Sequence, residues 1–414
     1  MTTVDQREQQ VEFQSNVGIQ NIYVNTPSGK RIPLFKPPRA PHFTNRKTEL
    51  EKLLKDLSLG KLVTICATGG MGKTALVTEA IWTLAPDNQS PQRFPDGILF
   101  HTFYNQPSAD VALESIAHAL GEEPKPTPAA GAQRALSGKR VLLVLDGAEA
   151  ADDLKKIYDS SGGCAVLVTS RRSEDAFDDW SDLKSLATEE SVELLQAWAQ
   201  HQADDSASVR AICEIVGNLP LAVRLAAFYL SHRKVNASRY LEWLQASPLQ
   251  ALDHGKRREQ SVPILLQRSL DQVGQEAKST LALIGRRALA PFDSTVISEA
   301  LGIPVYAAED RLGQLVNWGF LNIGDTRYQV THALIHSYAR ERLVPDDESL
   351  RRLIVYSLAL IRTETGKGAP GYRRLDQERA HLLYLIGVCM EQGRFEESIQ
   401  FSSGIARLFV PPGL

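Results

Sequence analysis

A glycine-rich segment at residues 67–74 has the composition of a phosphate-binding loop. It reads Ala67-Thr68-Gly69-Gly70-Met71-Gly72-Lys73-Thr74 and lies between an apolar run and a segment with helical periodicity. Glycines let successive backbone N–H groups turn toward an anion without Cβ clashes, and the following helix directs its unpaired N–H groups at the same point. In such loops the lysine reaches the β- and γ-phosphates and the hydroxyl ligates Mg²⁺, so we predict phosphate contacts from Gly69, Gly70, Met71, Gly72, Lys73, Thr74 and Ala75. The alternative is a glycine-rich turn before an ordinary helix, with Lys73 on the surface.

Two further apolar runs end in polar residues that suit a nucleotide site. Residues 141–145 are followed by Asp146, and residues 165–168 by Thr169-Ser170-Arg171-Arg172. The carboxyl ends of parallel strands meet at the edge where ligands bind, so Asp146 is expected beside Thr74 as a second Mg²⁺ ligand. Guanidinium groups suit phosphate contacts, which makes Arg171 a catalytic candidate with Lys73 and Asp146. The alternatives are an ordinary buried strand that ends in an acid and a solvated pair of loop arginines.

The apolar pattern also predicts the elements that position these residues. Short β-branched runs alternate with helical segments over 38–186, which indicates a doubly wound α/β domain with a parallel sheet. Helical periodicity alone continues over 187–260, and 261–345 adds a tight hairpin between helices, as in a winged-helix domain. The remainder, 346–414, predicts helical hairpins similar to the start of a truncated tetratricopeptide-like array, so we expect the native chain to continue beyond Leu414.

Residues 1–37 read as a separate N-terminal segment and linker, to which the sequence assigns no role. An alternating stretch at 17–25 predicts an exposed strand or a short hairpin. A proline disfavours the helical conformation in the residue before it. The cluster that follows therefore predicts an extended linker, and its members are Pro33, Pro37, Pro38 and Pro41.

Composition excludes several classes of protein. The chain has 46 basic and 49 acidic residues, a net charge of −3, with 43% hydrophobic and 23% charged residues. These values are typical of globular proteins, and they favour neither a disordered tail nor nucleic acid as a partner. The four cysteines form no C-x-x-C pair, which indicates neither a disulfide framework nor a zinc module. No apolar run approaches the roughly 20 residues needed to span a bilayer, so we expect a soluble, cytoplasmic protein without a membrane partner.

In this order, the motifs resemble those of the NB-ARC branch of the signal-transduction NTPases with numerous domains (STAND). Residues 43–50, the glycine-rich loop, the strand to Asp146 and the segment Thr169-Ser170-Arg171 resemble its successive nucleotide-binding motifs. The segment Gly217-Asn218-Leu219-Pro220-Leu221-Ala222 resembles the family's G-L-P-L-A element. The segment Tyr328-Gln329-Val330-Thr331-His332-Ala333 resembles its winged-helix M-H-D motif, with threonine and alanine in place of methionine and aspartate.

The resemblance implies that ATP or ADP binds with Mg²⁺. It assigns Phe43 and Arg46 to the adenine and ribose, and Pro220 to packing against the adenine. It makes Arg171 a sensor of the terminal phosphate. It makes His332 a ligand of the β-phosphate of ADP that holds the winged-helix domain closed. Without the family, His332 reads as a capping or core histidine.

Gly147 departs from the family pattern, because many relatives carry a second acid there that positions the attacking water. Glu149 could take that place if the loop turns helically, since three residues on it would then face the same side. The alternative is that Glu149 is a solvated acid. The absence of an acid at Gly147 implies slow ATP hydrolysis, which suits a switch that must hold its state.

The resemblance therefore implies an ATP/ADP-controlled switch in defence, cell death or regulation. ADP would stabilise a closed monomer, and ATP would promote opening and homo-oligomerisation in response to an unidentified ligand or protein.

Two alternatives come from other classes of protein. The first is a transcriptional regulator that reads DNA with its winged helix. Arg311, Gln314 and Asn317 could contact bases, although Glu309 and Asp310 share their helix. The second is a conventional P-loop transferase or motor ATPase, against which the lack of an acid at position 147 argues.

Overall fold

The computed structural model describes residues 12–16, 19–25, 31–43, 46–86, 88–104, 106–172, 175, 179–246, 254–324 and 326–406. The chain divides into two compact units, Met1–Lys184 and Ser185–Leu414. Over the described ranges, no helix is both long enough and apolar enough to cross a membrane. All four cysteines are buried free thiols: Cys66, Cys164, Cys213 and Cys389.

The first unit is built on an eight-stranded sheet. Its strands are β1 (Glu12–Asn16), β2 (Ile19–Asn25), β3 (Arg31–Lys36), β4 (Leu62–Cys66), β5 (Gly97–Thr102), β6 (Val141–Asp146), β7 (Ala165–Ser170) and β8 (Asp179–Asp182). They lie in the order β1-β2-β3-β5-β6-β7-β4-β8. All pairs from β3 to β8 in this order are parallel, whereas β1, β2 and β3 are antiparallel neighbours. The helices are α1 (Lys47–Asp56), α2 (Lys73–Leu84), α3 (Ala109–Ala119), α4 (Pro128–Leu136) and α5 (Leu154–Asp159).

Strands β6 and β7 lie in the middle of the parallel part of this sheet, which runs from β3 to β8. Every residue in both strands is buried, as expected of parallel strands covered on both faces. Leu143 and Val166 share one apolar cluster with Leu113 of α3 and Leu136 of α4. Because side chains alternate along a strand, Val144 faces the opposite side of the sheet. The prediction of a doubly wound α/β domain is confirmed.

The predicted linker is wrong at its first proline. Pro33 lies inside β3, which pairs with β2 over six residues and with β5 through one pair, Leu34 with Ile98. A proline cannot donate to a ladder, but here the ladder on the β5 side is too short to require its N–H. The sheet of the P-loop domain therefore includes residues on the N-terminal side of the predicted boundary at 38. The strand predicted at 17–25 is present as β2, which pairs with both β1 and β3. Its Ile22 and Val24 are buried, so the prediction that this strand is exposed is wrong. Residues 17 and 18 lie outside the described ranges.

The second unit is almost entirely helical. Its helices are α6 (Thr188–Ala199), α7 (Ser206–Ile215), α8 (Pro220–Arg233), α9 (Ala237–Gln245), α10 (His254–Leu270), α11 (Gln275–Ile284), α12 (Ser294–Leu301), α13 (Val305–Asn317), α14 (Ala333–Arg342), α15 (Asp347–Thr365), α16 (Ala369–Glu391) and α17 (Phe395–Ala406). Its strands are β9 (Leu321–Ile323) and β10 (Tyr328–Val330), which form an antiparallel hairpin. Helices α11 to α13 followed by this hairpin form the predicted winged helix.

A buried ion-pair network joins the winged helix to α16. The Glu378 carboxylate of α16 accepts hydrogen bonds from Arg287 (3.2 Å) and from Arg327, which precedes β10. All three side chains are buried. Burial lowers the pKa of Arg287, while the nearby Glu378 carboxylate opposes that shift. The Glu378 carboxylate is therefore the ion-pair partner of both guanidinium groups.

We expect Glu378→Gln to destabilise the second unit by about 3–5 kcal/mol, because it leaves buried guanidinium groups without a counter-charge. Urea unfolding followed by circular dichroism measures this loss. The matched control is Glu348→Gln, which removes a carboxylate that pairs with Arg351 and Arg352 at the surface. Equal stability of the two variants would show that the network does not depend on Glu378.

Candidate nucleotide-binding site

The glycine-rich loop connects β4 to the first turn of α2. Gly70 and Gly72 have φ of 82° and 93°, a left-handed conformation that glycine adopts without strain. The Lys73 side chain is buried, and its ammonium donates to the carbonyl oxygens of Ala67 (2.7 Å) and Thr68 (3.3 Å). Burial lowers the pKa of Lys73, and the nearby Glu149 carboxylate opposes that effect. The alternative of a surface lysine is wrong, and the loop has the form of a phosphate cradle.

Asp146 lies at the carboxyl end of β6, in hydrogen-bond contact with the loop. Its Oδ1 accepts from the Thr74 hydroxyl and from the Thr169 hydroxyl of β7, each at 2.7 Å. Burial raises the pKa of Asp146, and these two hydrogen bonds oppose the rise. The Thr74 and Asp146 oxygens form the kind of hard donor set that Mg²⁺ prefers, so the residues present fit this ion.

Glu149 and Arg171 form an ion pair at the same edge of the sheet. Glu149 lies in a short 3₁₀ turn, Ala148–Ala150, so the loop does turn helically. Its Oε1 lies 2.9 Å from Arg171 Nε and accepts from the Tyr104 hydroxyl at 2.5 Å, while Oε2 accepts from the Arg171 backbone N–H at 3.1 Å. The Arg171 guanidinium also lies over the Tyr104 ring, 5.5 Å from its centroid. The Glu149 side chain is only 10% exposed, so the alternative of a solvated acid is wrong, as is that of a fully solvated Arg171.

Gly147 separates Asp146 from this turn, and its neighbours exclude a larger residue. It has φ of 75°, and a Cβ atom added there would lie 2.6 Å from the Tyr104 ring. The ring that supports Glu149 and Arg171 thus occupies the space that an acidic side chain at position 147 would enter.

Arg46 supports the loop from the side of α1. Its guanidinium is buried and donates to the carbonyl oxygens of Met71 (3.0 Å) and Lys184 (2.9 Å), and to the Glu49 carboxylate (3.1 Å). Phe43 is half-buried. The intervening residues 44 and 45 lie outside the described ranges. Contacts of Phe43 and Arg46 with adenine and ribose stay predictions.

In the second unit, Pro220 is the first residue of α8, where a proline costs no intrahelical hydrogen bond. Arg224 and Phe228 follow at spacings of four and share its helix face. Burial lowers the pKa of Arg224 to about 10. The guanidinium lies against the rings of Trp198 and Phe228, at 5.3 and 5.5 Å. The Phe228 ring in turn packs on Gly319, where a Cβ would lie 2.6 Å away.

His332 is the N-cap of α14, so the alternative of a capping histidine describes its position correctly. Its Nδ1 accepts the Leu334 N–H at 3.0 Å, which leaves the proton of the neutral ring on Nε2. The preceding Thr331 hydroxyl donates to the Gly319 carbonyl at 2.8 Å. Phe228 and Thr331 therefore meet at Gly319, which links the helix of Pro220 to the segment of His332. Contacts of Pro220 and His332 with a nucleotide stay predictions.

Several residues that contact the motif residues do not belong to any of the sequence motifs. Tyr104 follows β5, and its importance depends on β5 lying next to β6 in the sheet. Arg224 could have been found from the sequence, because it lies one helical turn beyond Pro220. Phe228 could not, because its partner Gly319 is distant in sequence.

The strand order and the loop define a P-loop NTPase, and the comparison with protein families agrees. Residues 45–205 match the NB-ARC domain. The matched segment includes the phosphate loop and the strand to Asp146, and nucleotide binding is the property that an NB-ARC domain supports.

Two similar proteins are both described as the regulatory protein AfsR. That of Streptomyces griseus is 26% identical over 368 residues, which cover 83% of this chain and 37% of the relative. That of Streptomyces coelicolor is 27% identical over 376 residues, covering 83% and 38%. The chain thus spans less than two fifths of the length of these relatives. A STAND protein with a tetratricopeptide repeat sensor from Pyrococcus horikoshii aligns with a TM-score of 0.48 and 15% identity, covering 88% of this chain and 58% of that structure.

We expect Gly147→Ala to destabilise the first unit more than Gly163→Ala does. Both glycines have positive φ, but an added Cβ at Gly163 meets no atom within 4 Å. The control should therefore lose about 1–2 kcal/mol from backbone strain alone, and Gly147→Ala about 1–3 kcal/mol more from its clash with Tyr104. Chemical denaturation of both variants measures the difference. Equal losses would mean that the Tyr104 ring moves aside at no cost.

Proposed function

We propose that this chain is an ATP/ADP-controlled switch that is a closed monomer with ADP and self-associates with ATP. The observation that carries the proposal is the ion pair between Arg171 and Glu149 beside the phosphate cradle. A γ-phosphate that approaches Arg171 must compete with a carboxylate already in place. ATP and ADP would therefore differ in their effect on Arg171, and such a difference in binding is what shifts a two-state equilibrium.

Thr74 and Asp146 would hold Mg²⁺, which when bound neutralises negative charge on the β- and γ-phosphate oxygens. Lys73 would exchange its two carbonyl contacts for phosphate oxygens without moving out of its buried position. The Thr169 hydroxyl would keep the Asp146 carboxylate oriented throughout. These residues would bind and orient the nucleotide phosphates and Mg²⁺. None of them needs to transfer a proton.

Slow hydrolysis is consistent with the surroundings of Glu149. A general base must reach the attacking water, but both oxygens of this carboxylate are engaged by Tyr104 and Arg171. No acid is present at position 147, and the Tyr104 ring excludes one. We propose that the ATPase activity is slow and limits how long the ATP state persists.

Within the second unit, contacts at Gly319 connect Pro220 to His332, the two residues that ADP would contact in the proposed closed state. The Phe228 ring and the Thr331 hydroxyl both contact Gly319, so Pro220 and His332 belong to one connected structure. In our proposal both residues contact ADP. Helices α15 to α17 would begin a sensor array, whose ligand or protein partner triggers exchange in the cytoplasm.

The DNA-reading alternative has weaker support in the winged helix. The candidate Arg311 forms an ion pair with Glu276 at 3.2 Å, which engages its guanidinium within the protein. Glu309 and Asp310 are exposed on the same helix and would repel phosphates. The relatives named as regulatory proteins are consistent with a regulatory role for this chain, whichever unit contacts a target.

We expect purified full chain to carry ADP or ATP, because the phosphate cradle and the Mg²⁺ donors are preformed. Heat release followed by ion-exchange chromatography identifies the nucleotide. Lys73→Ala should bind nucleotide at least tenfold more weakly, since the buried ammonium would be lost. Lys61→Ala, which removes an exposed lysine from the same unit, serves as the control. Normal nucleotide binding by Lys73→Ala contradicts the proposal.

Glu149→Gln should raise the affinity for a non-hydrolysable ATP analogue relative to ADP by roughly tenfold, because a close ion pair near the protein surface contributes about 1–4 kcal/mol and tenfold corresponds to about 1.4 kcal/mol. The variant removes the charge that holds Arg171 but keeps an acceptor for Tyr104. Competition with a fluorescent nucleotide measures both affinities. Tyr104→Phe, which keeps the ion pair, should change the ratio much less. An unchanged ratio in Glu149→Gln would rule out competition at Arg171.

A further inference from the structure

A cleft of about 610 Å³ lies in the second unit, within its helical domain. It is formed by the end of α8, the loop to α9, one face of α9 and the last turns of α10. Its volume falls in the range of small-molecule sites. Its lining includes Tyr229, Arg233, Arg239, Trp243 and Arg268.

The lining of the cleft is strongly basic. Among the described residues, its lining contains four cations, namely Arg233, Lys234, Arg239 and Arg268, and one carboxylate, Glu242. In the part of the chain that the structure describes, none of these cations forms an ion pair. Arginines without carboxylate partners that converge on one concavity create a positive potential there. Their planar groups suit bidentate binding of phosphate oxygens.

Arg268 is held in place by aromatic rings. Its guanidinium lies 4.6 Å from the centroid of Trp243 and 5.3 Å from that of Tyr229. Its Nε is buried and has no hydrogen-bond partner within the described ranges. Stacking on two rings fixes the orientation of the guanidinium before any ligand arrives, so less entropy is lost on binding. Tyr229 and Trp243 also give the cleft apolar surface for a ring.

We propose that this cleft binds a small organic phosphate, a phosphomonoester attached to a ring, of about the size of a nucleoside monophosphate. Arg268 and Arg233 contact the phosphate oxygens, and Arg239 lies at the rim. The ring packs against the aromatic side chains. This site is separate from the phosphate cradle of the first unit, and ligand binding there does not require the proposed switch.

The floor of the cleft is connected to the His332 segment. The Tyr229 ring lies 6.0 Å from that of Trp318, centroid to centroid. Trp318 precedes Gly319, whose carbonyl accepts from Thr331. A ligand that repositions Tyr229 therefore changes the packing around Gly319. This regulatory consequence, unlike the binding itself, rests on the proposed function.

Isothermal titration of the full chain, saturated with ADP and Mg²⁺, with phenyl phosphate tests the proposal, and phenol is the uncharged comparison. We expect phenyl phosphate to bind and phenol to bind at least tenfold more weakly. Arg268→Met, which keeps an apolar stem between the rings, should reduce affinity at least tenfold, and Arg233→Gln several-fold. The matched control Arg210→Gln alters an exposed arginine of α7 that pairs with Glu189, and its affinity should be unchanged.

Absent binding of phenyl phosphate, equal binding of phenol, or equal affinity in Arg233→Gln and wild type would overturn the proposal. Arg233 is exposed, so its variant decides the matter even if Arg268→Met fails to fold. Lys73→Ala separates the two proposals, because it should lose nucleotide and still bind phenyl phosphate with wild-type affinity. Loss of both ligands in Lys73→Ala would place the phenyl phosphate in the phosphate cradle and contradict a second site.

Discussion

The buried carboxylate of Asp146 holds the nucleotide site together. A carboxylate can remain buried only when its oxygens are hydrogen-bonded, and here two hydroxyl groups donate to the same oxygen. One hydroxyl, of Thr74, belongs to the helix after the phosphate loop, and the other, of Thr169, to the neighbouring strand β7. The loop cannot shift relative to the sheet without removing a donor from this carboxylate. The position of Lys73, in the same turn as Thr74, is thereby fixed relative to β6 and β7.

The charges at this edge of the sheet are already engaged by the protein. Lys73 donates to two loop carbonyls, and Arg171 pairs with Glu149. A phosphate group must therefore replace these internal contacts when it binds. The net binding free energy is smaller than at a site whose cations have no partner within the protein. When binding exchanges one set of contacts for another, the net affinity is modest. The difference in affinity between two similar ligands can still be large. This balance suits a protein whose output depends on which nucleotide is present.

Much of this organisation could be predicted from the sequence, because the signals were local. The loop between a strand and a helix, and the apolar strand that ends in Asp146, each specify their own structure within about ten residues. The part played by Tyr104 was not predictable, since it requires β5 to lie beside β6, and strand order is a long-range property. Pro33 was misread because the rule for proline assumes a full ladder on both sides. Helix α12 has only eight residues, which are too few periodic positions to predict a helix from the sequence alone.

The buried network around Glu378 has a mechanical consequence for signalling. Arg327, one of its two guanidinium groups, immediately precedes β10, and β10 leads directly into Thr331 and His332. Helix α16 is thus tied through a single hairpin strand to the residue proposed to contact ADP. Separating a buried ion pair costs more than separating a solvated one, because the parted charges gain little hydration until water enters. A force applied through the C-terminal helices would leave the His332 segment undisturbed up to a threshold and then release it in one step.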